Sequence, residues 1–468
     1  MPRTPHPLST ACATLLLAAA TGLAPAVAGA ADPALQAQAL DILQKSVAFR
    51  TVAGAGQVPA YAEFLKGVLV QAGFAPEDVR VQPMGDTATL VARYHGRDRA
   101  RKPILVIGHM DVVEAKREDW TRDPFVPVVE NGYLFGRGSM DNKFELSVIV
   151  ATLAQLKREG WQPGRDVVLA LTGDEETDMV TTRALAQEFK DAELVLNGDA
   201  GGGSLDEAGR PVLYSLQAGE KTYADYTVRF TDAGGHSSRP GPNNPIYRLA
   251  AALRKLEAYR FPVMQNELTR TYFEVSAADK PGAVGAAMKA FAADPNDQAA
   301  IAVLAEDPDY AGQLRTTCVA TMVTAGHAPN ALPQKAEATV NCRIFPGVSS
   351  QSVGQTLVDL IGDPAAVVTQ LDSGSLDSEA SPLREDVMAA VTRAVHARFP
   401  GVPLVPGMSA GATDSMHFRA VGVPSYGVSG LFMKSSDEFA HGLDERIPVS
   451  AIDGALDHWD GLLKDMAK

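Results

Sequence analysis

The sequence predicts an α/β protein, a layered mixed sheet flanked by helices and interrupted by a smaller inserted α+β unit. Three observations predict it. Apolar strands such as "PILVIGHMD", "DVVLALTG" and "AELVLNGD" alternate with helix-patterned segments between residues 103 and 199, the signature of a sheet buried on both faces. The middle of the chain instead runs strand, helix, strand, strand, helix, strand, the order of a ferredoxin-like unit. The α/β pattern then returns from about residue 382 to the end. At 468 residues and 46% hydrophobic content, the chain is long enough for two cores.

The first thirty residues stand apart from this pattern. Arg3 precedes a short apolar core from Ala11 to Ala20, and both Ala26-Val27-Ala28 and Ala28-Gly29-Ala30 fit an A-x-A cleavage site. Residues 1–30 are therefore expected to be a signal peptide cut after Ala28 or Ala30, too short and Ala-rich for a spanning helix. Cys12 lies ahead of most of the apolar run, the wrong place for lipid attachment. No later stretch is long and apolar enough to span a bilayer, so a soluble secreted or periplasmic protein is expected. Export would place Cys318 and Cys342 in an oxidising compartment, where a disulfide and two buried thiols are equally compatible with their strand-like surroundings.

From about residue 34 to 72 the pattern is helical. The β-rich runs "VRVQPM", "TATLVARY" and "PILVIGHMD" follow, and "FVPVVENGYLFGRG" carries the hairpin signal Asn131-Gly132 between two β-rich arms. A helix over 143–159 leads to "DVVLALTG", and one over 181–190 leads to "AELVLNGD". In the insert, the alternating "KTYADYTVRFTDA" precedes a helix, "PIYRLAAALRKLEAY", and a polar, Ala-rich helical excursion over 265–314. "RTTCVATMVTAG" and "KAEATVNCRIFPG" form two more strands, followed by a helix over 350–361 and a last strand, "AAVVTQLD". The expected division is a main domain of 31–217 and 375–468 with an inserted domain over 218–374.

The formal net charge of −14 argues against a nucleic-acid partner, because no excess of Lys and Arg is present to displace phosphate counterions. Chemistry-bearing residues gather instead at strand ends, where α/β sheets place their ligands. "GHMDVV" sets His109 and Asp111 two apart, facing one way in an extended chain. "GRGSMDNK" adds Asp141, "TGDEE" adds Glu175 and Glu176, "LNGDAGGG" adds Asp199, and "EFAHGLDER" adds His441. Each alone has an ordinary explanation: a hydrogen-bonded His–Asp pair, a helix cap such as Asp174, a turn aspartate. Five such strand ends in one domain point instead to a zinc-class divalent ion, or to two ions if a carboxylate bridges them.

These motifs, "GHMDVV", "W" then "DPF", "GRGSMDNK", "TGDEE", "NGD" and "AHGLDER", stand in the order typical of the M20 metallopeptidases, and the resemblance covers nearly the whole mature chain. "GGHSSRP", "LRTTCVATMVTAGHAPNALP" and "ATVNCRIFPG" look most like the carboxypeptidase S and N-acyl-amino-acid hydrolase branch. The resemblance implies a catalytic main domain and a lid and dimerisation insert. It implies two zinc ions, replaceable by cobalt, bridged by Asp141, with His109 and Asp199 on one ion and Glu176 and His441 on the other. Asp111 would orient His109, and Glu175 would be the general base towards water. His236 would stabilise the oxyanion, often across a dimer, while Asn330 and Arg343 would hold the substrate carboxylate. Thr413 and Asp414 would shape a nearby loop, and His417 reads as a helix residue first and a fallback ligand second. Phe144 stands where relatives often carry glycine, which would alter the helix start after Asp141. The implied function is hydrolysis of an amide beside a free carboxylate. Peptides are favoured as substrates, N-acyl amino acids are the alternative, and a metal-free binding protein is the competing class. A retired enzyme should have lost Glu175 or a ligand, and none is missing.

Overall fold

The computed structural model describes residues 32–468 except 279, 281 and 373, and apart from the side chain of Asp309. The expected signal peptide, its cleavage sites and Cys12 lie outside the described residues.

Ten strands form the larger sheet. In spatial order they run Val79–Met84, Thr87–Tyr94, Val167–Thr172, Ile104–His109, Leu194–Asn197, Ser425–Gly427, Pro211–Glu220, Gly202–Leu205 and Phe432–Lys434, with Leu404–Ser409 also paired to Pro211–Glu220. The strand ending at His109 lies parallel to both Val167–Thr172 and Leu194–Asn197, so three chemistry-bearing loops leave the sheet at the same end of its strands. Residues along the central strands alternate between two cores. Ile104, Val106, Val167 and Leu169 join a cluster with the helices Pro33–Ala48, Lys143–Arg158, Glu385–Arg398 and Ala451–Met466. Leu105, Ile107, Val168 and Ala170 face Leu185, Phe189 and Phe418 on the other side. That two-sided burial is why these strands read as unbroken apolar runs rather than as alternating ones.

The inserted unit is a four-stranded antiparallel sheet in the order Thr317–Ala325, Lys335–Ile344, Thr222–Thr231, Val367–Gln370. The helices Pro245–Ala258 and Ser350–Ile361 cover it through Leu249, Leu256, Val353 and Leu357. The excursion consists of four short helices, Glu267–Ser276, Ala283–Ala293, Gln298–Ala305 and Pro308–Leu314, around Phe273, Met288, Phe291 and Leu304. Cys318 and Cys342 are direct partners across the ladder and form a disulfide, which resolves the alternative the residues left open.

Two differences from the sequence expectation have clear causes. The helical pattern over 34–72 is two helices, Pro33–Ala48 and Val58–Gln71, broken by a loop in which Gly54 and Gly56 take positive φ. The ten-residue strand Pro211–Glu220 and its short partners went unread. Its polar and small residues interrupt both periodicities, and Gly202–Leu205, Ser425–Gly427 and Phe432–Lys434 span only three or four residues each. The hairpin signal at Asn131-Gly132 does close a hairpin, with φ of +53° and +83° at the two turn residues, both in the left-handed region that such a turn requires.

Candidate metal centre

Three strand ends deliver His109, Glu175 with Glu176, and Asp199 to a common site, and two loops add Asp141 and His441. His109 is the last residue of its strand and is almost completely buried. Its Nε2 lies 2.9 Å from Asp141 Oδ1 and 3.3 Å from Asp199 Oδ1. On the other side of Asp141, His441 Nε2 lies 3.2 Å from Asp141 Oδ2 and 2.9 Å from Glu176 Oε1. Asp141 thus stands between two imidazoles, one oxygen towards each, with Asp199 completing one group and Glu176 the other. Ligand atoms of His109, Asp141 and Glu176 all lie within 4.8 Å of one another.

Close backbone approach makes this assembly possible. A Cβ on Gly108 would sit 2.6 Å from Asn142 Oδ1, and one on Gly198 would sit 2.8 Å from Glu145 Cγ. Only glycine lets the strand ends before His109 and Asp199 pack against the helix that begins at Lys143. Phe144 does not disturb that start: the helix runs Lys143–Arg158 with Phe144 buried. The Lys143 ammonium is buried too, donating to the carbonyls of Ser46 at 3.0 Å and Phe49 at 2.7 Å.

Asp111 orients His109 and does a second job besides. The Nδ1 of His109 meets the main-chain carbonyl of Asp111 at 3.0 Å, with the Asp111 carboxylate 3.6 Å away. That carboxylate accepts the backbone N–H groups of Glu175 at 3.1 Å and Glu176 at 3.0 Å. It therefore fixes the loop that presents both acids. Asp174 accepts the N–H groups of Val180 and Thr181 and the Thr181 hydroxyl, capping the next helix as its position suggested.

Further residues support the same site, Asp414 among them as expected and Asn197 and Glu145 in addition. Asn197 Oδ1 accepts the Asp199 N–H at 2.8 Å, and its amide donates to Ser415 Oγ at 2.9 Å. Asp414, fully buried, accepts the hydroxyls of Thr172 and Thr182 and so ties its loop to the strand that carries the acidic triplet. Glu145 is buried beside Gly198 and is held by the Gly430 N–H, Ser429 Oγ and the Trp459 indole. A carboxamide at the end of a strand or a carboxylate on the buried face of a helix carries no sequence signal of its own, so Asn197 and Glu145 stand outside the sequence expectation. His417 lies buried in the helix Ser415–Ala420, the helix position its sequence suggested.

The substrate-side residues fall in two places. Arg343 stacks its guanidinium 4.7 Å over the Tyr223 ring and donates to the Ala410 carbonyl at 3.0 Å; it makes no salt bridge among the described residues. His236 and Asn330 come together in an exposed ribbon, where Gly235–His236 pairs with Ala331–Leu332 and Ser237 N–H donates to Asn330 O. None of their recorded contacts reaches the Asp141 cluster.

The electrostatics fit a cation site. Burial raises Asp199 to about 6 and, above all else, lifts Glu175 well above the carboxylate range. Burial alone would lower His109, yet Asp199, Asp111 and Asp141 carry it well above its ordinary value. His441 is raised from 6.5 to about 10 by hydrogen bonds to Asp141 and Glu176. In the metal-free chain, then, two imidazoliums partly neutralise a surplus of carboxylates, the charge that divalent ions would supply. The donor set of imidazole nitrogens and carboxylate oxygens suits a zinc-class ion.

One prediction follows from the direction of these shifts. The raised His441 contributes to the stability of the metal-free fold below about pH 6.5, and that contribution is lost as pH rises through about 10. A metal ligand must be unprotonated. Zinc binding at pH 7 should therefore release at least one proton per chain, with affinity rising as pH increases. Calorimetry in buffers of different ionisation enthalpy measures this directly, and zero release would show the histidines not to be ligands.

Comparison with known proteins points the same way. A family model for peptidase family M20/M25/M40 matches residues 105–465. The probable carboxypeptidase S-like 2 protein of Dictyostelium discoideum is 26% identical over 397 residues, covering 81% of this chain and 75% of its own. The N-fatty-acyl-amino acid synthase/hydrolase PM20D1 of Xenopus tropicalis is 28% identical over 409 residues, covering 84% and 78% respectively. Among solved structures, the M20 family metallo-carboxypeptidase Sso-CP2 from Sulfolobus solfataricus superposes with a TM-score of 0.70 at 19% identity, over 91% of this chain and 98% of that one. The di-peptidase Dug1p from Saccharomyces cerevisiae gives 0.65 at 19% identity, over 93% and 96%. At such identities the structural likeness establishes the fold.

Proposed function

The chain belongs to peptidase family M20/M25/M40, a family of metal-dependent hydrolases, and on that premise we propose that it is an exported two-zinc amidohydrolase cleaving an amide beside a free carboxylate, most effectively in peptides. The observation that carries the reading is Asp141 set between His109 with Asp199 and His441 with Glu176, while the Glu175 carboxylate takes no part in those pairings. His109, Asp141 and Asp199 would hold one ion, and Asp141, Glu176 and His441 the other. When bound, such ions polarise the scissile carbonyl and make water more acidic.

The chain's own residues do the rest. Glu175 takes the proton of the attacking water and returns it to the departing amine nitrogen, so that amide and water become acid and amine. Its burial keeps it basic enough to accept that proton, while divalent ions, when bound, would favour its ionised form beforehand. Asp111 holds the Glu175 backbone in place. Arg343, which makes no salt bridge among the described residues, receives the substrate carboxylate in its guanidinium fork. Asn330 and His236, displayed together on the exposed ribbon apart from Arg343, would serve a neighbouring subunit in a lid-mediated homodimer, Asn330 at its substrate carboxylate and His236 at its oxyanion.

Export is supported by the Cys318–Cys342 disulfide, a bond that persists in oxidising compartments, and by the N-terminal signal pattern. No helix among the described residues is long and apolar enough to cross a membrane.

A second reading, hydrolysis of N-acyl amino acids, is favoured by the several relatives named N-fatty-acyl-amino acid synthase/hydrolase. A panel of C-terminally free dipeptides, longer peptides, C-terminally amidated peptides and N-acyl amino acids, assayed with zinc or cobalt, separates the two. Free dipeptides should be turned over fastest, and amidation should abolish turnover. Faster cleavage of N-acyl amino acids would establish the second reading, and no turnover of any member would favour a non-catalytic binding protein.

A further inference from the structure

Between Asp141 and the His441 loop lies a buried ion pair that none of the roles above uses. Glu445 is completely buried, and Arg137 nearly so. The two oxygens of Glu445 are fully occupied: Oε2 accepts Arg137 Nη1 at 2.6 Å and Gly138 N–H at 3.0 Å, and Oε1 accepts the N–H groups of Met140 at 2.8 Å and Asp141 at 3.1 Å. The carboxylate therefore grips the backbone of Asp141 itself. The second arm of Arg137 reaches the main-chain carbonyl of His441 at 3.3 Å, and its guanidinium lies 5.1 Å over the Trp120 ring.

The His441 loop needs such a hold. His441 and Asp444 both adopt positive φ, +61° and +51°, a conformation that costs a non-glycine residue free energy and persists only where surroundings over-determine it. Asp444 is anchored to the backbone of Thr121 and Arg122 at 3.1 and 3.4 Å. Arg137 supplies the anchor at the other end, on the residue that carries the imidazole. The His441 side chain is about half exposed, so packing around the ring itself cannot set its position.

We infer that Arg137 and Glu445 are positioning residues that set the separation of Asp141 and His441, and thereby the affinity of the His441 half of the metal centre. The inference rests on the two-ion reading above. A carboxylate that gathers the backbone of one ligand, paired to a guanidinium that holds the loop of another, makes their distance a property of one rigid unit. The His109–Asp199 half has its own supports in Asp111 and Asn197 and should depend on this pair far less.

Glu445→Gln is the obvious variant, but it would leave a buried guanidinium unpaired and could fail by misfolding. Arg137→Lys is the sharper test, because it keeps a cation against Glu445 and removes the second N–H that meets His441. Zinc is titrated into the metal-stripped full chain against a chromophoric chelator, for wild type, R137K, H441A and the double variant. R137K should bind its first equivalent as wild type does and its second about tenfold or more weakly, in the range found for residues supporting metal ligands. In the H441A background R137K should cause no further loss, since the link then positions nothing. Equal weakening of both equivalents, an additional loss in the H441A background, or an unchanged second equivalent would each overturn the inference. A wild-type chain that takes up only one equivalent would overturn the two-ion reading, and this inference with it.

Discussion

Glu175→Gln should lower kcat by about 10²–10⁴-fold, the range attributed to a positioned general base, and leave the proposed zinc binding intact. The geometry separates these two effects in adjacent residues. Asp111 accepts both backbone N–H groups, of Glu175 and of Glu176, so the loop is held whichever side chain is changed. Glu176 meets His441 at 2.9 Å, whereas Glu175 stays out of the pairings around Asp141. Glutamine matches the volume of glutamate but cannot take a proton from water at neutral pH. The measurement is kcat on a C-terminally free dipeptide together with zinc per chain. Near-normal kcat would remove Glu175 from the base role, and lost zinc with lost activity would make it a ligand instead.

How much of this was legible beforehand depended on the kind of signal. Ligand-type residues at strand ends are conspicuous because carboxylates after an apolar run have no ordinary reason to cluster, and His109, Asp141, Glu176, Asp199 and His441 were all found that way and all meet in one place. The apolar strands before His109, Glu175 and Asp199 were equally plain, since burial on both faces removes the alternation that polar residues would impose. The supporting contacts were not legible. Asn197, Asp414, Glu145 and Glu445 act through hydrogen bonds to groups far away in sequence, from Gly138 to Glu445 or from Thr172 to Asp414, and no local pattern announces such a partner. The strand Pro211–Glu220 was missed for a related reason. It is stabilised by neighbours that arrive two hundred residues later, at Leu404–Ser409 and Ser425–Gly427, while its own polar and small residues break the local pattern. Asp111 shows the remaining gap, because its motif indicates that it matters but only the structure shows its carboxylate on the Glu175–Glu176 backbone.

Asp141→Asn is expected to cost more zinc affinity than the replacement of any supporting residue, at least about 10²-fold for both equivalents, since supporting residues cost about 10–100-fold. Two opposing effects decide the outcome. Removing the Asp141 charge frees both histidines in part. His441 is held at about 10 first by its hydrogen bond to Asp141 and then by Glu176, so in the variant its pKa falls part of the way back and fewer protons stand against the metal. That effect favours binding. Against it, Asp141 alone places one oxygen 2.9 Å from His109 and the other 3.2 Å from His441, so on the two-ion reading its charge would count towards both ions, and an uncharged carboxamide would meet each with a dipole only. Competition with a proton fades as pH rises, whereas the lost carboxylate is missed at every pH, so the charge loss should win throughout. The balance leaves a signature that simple unfolding does not. Zinc affinity in D141N should be weaker at every pH yet rise less steeply with pH than in wild type, and calorimetry should record fewer protons released per zinc. A variant that binds two zinc ions at wild-type affinity, or that keeps the wild-type pH slope, would show that Asp141 does not stand between the ions.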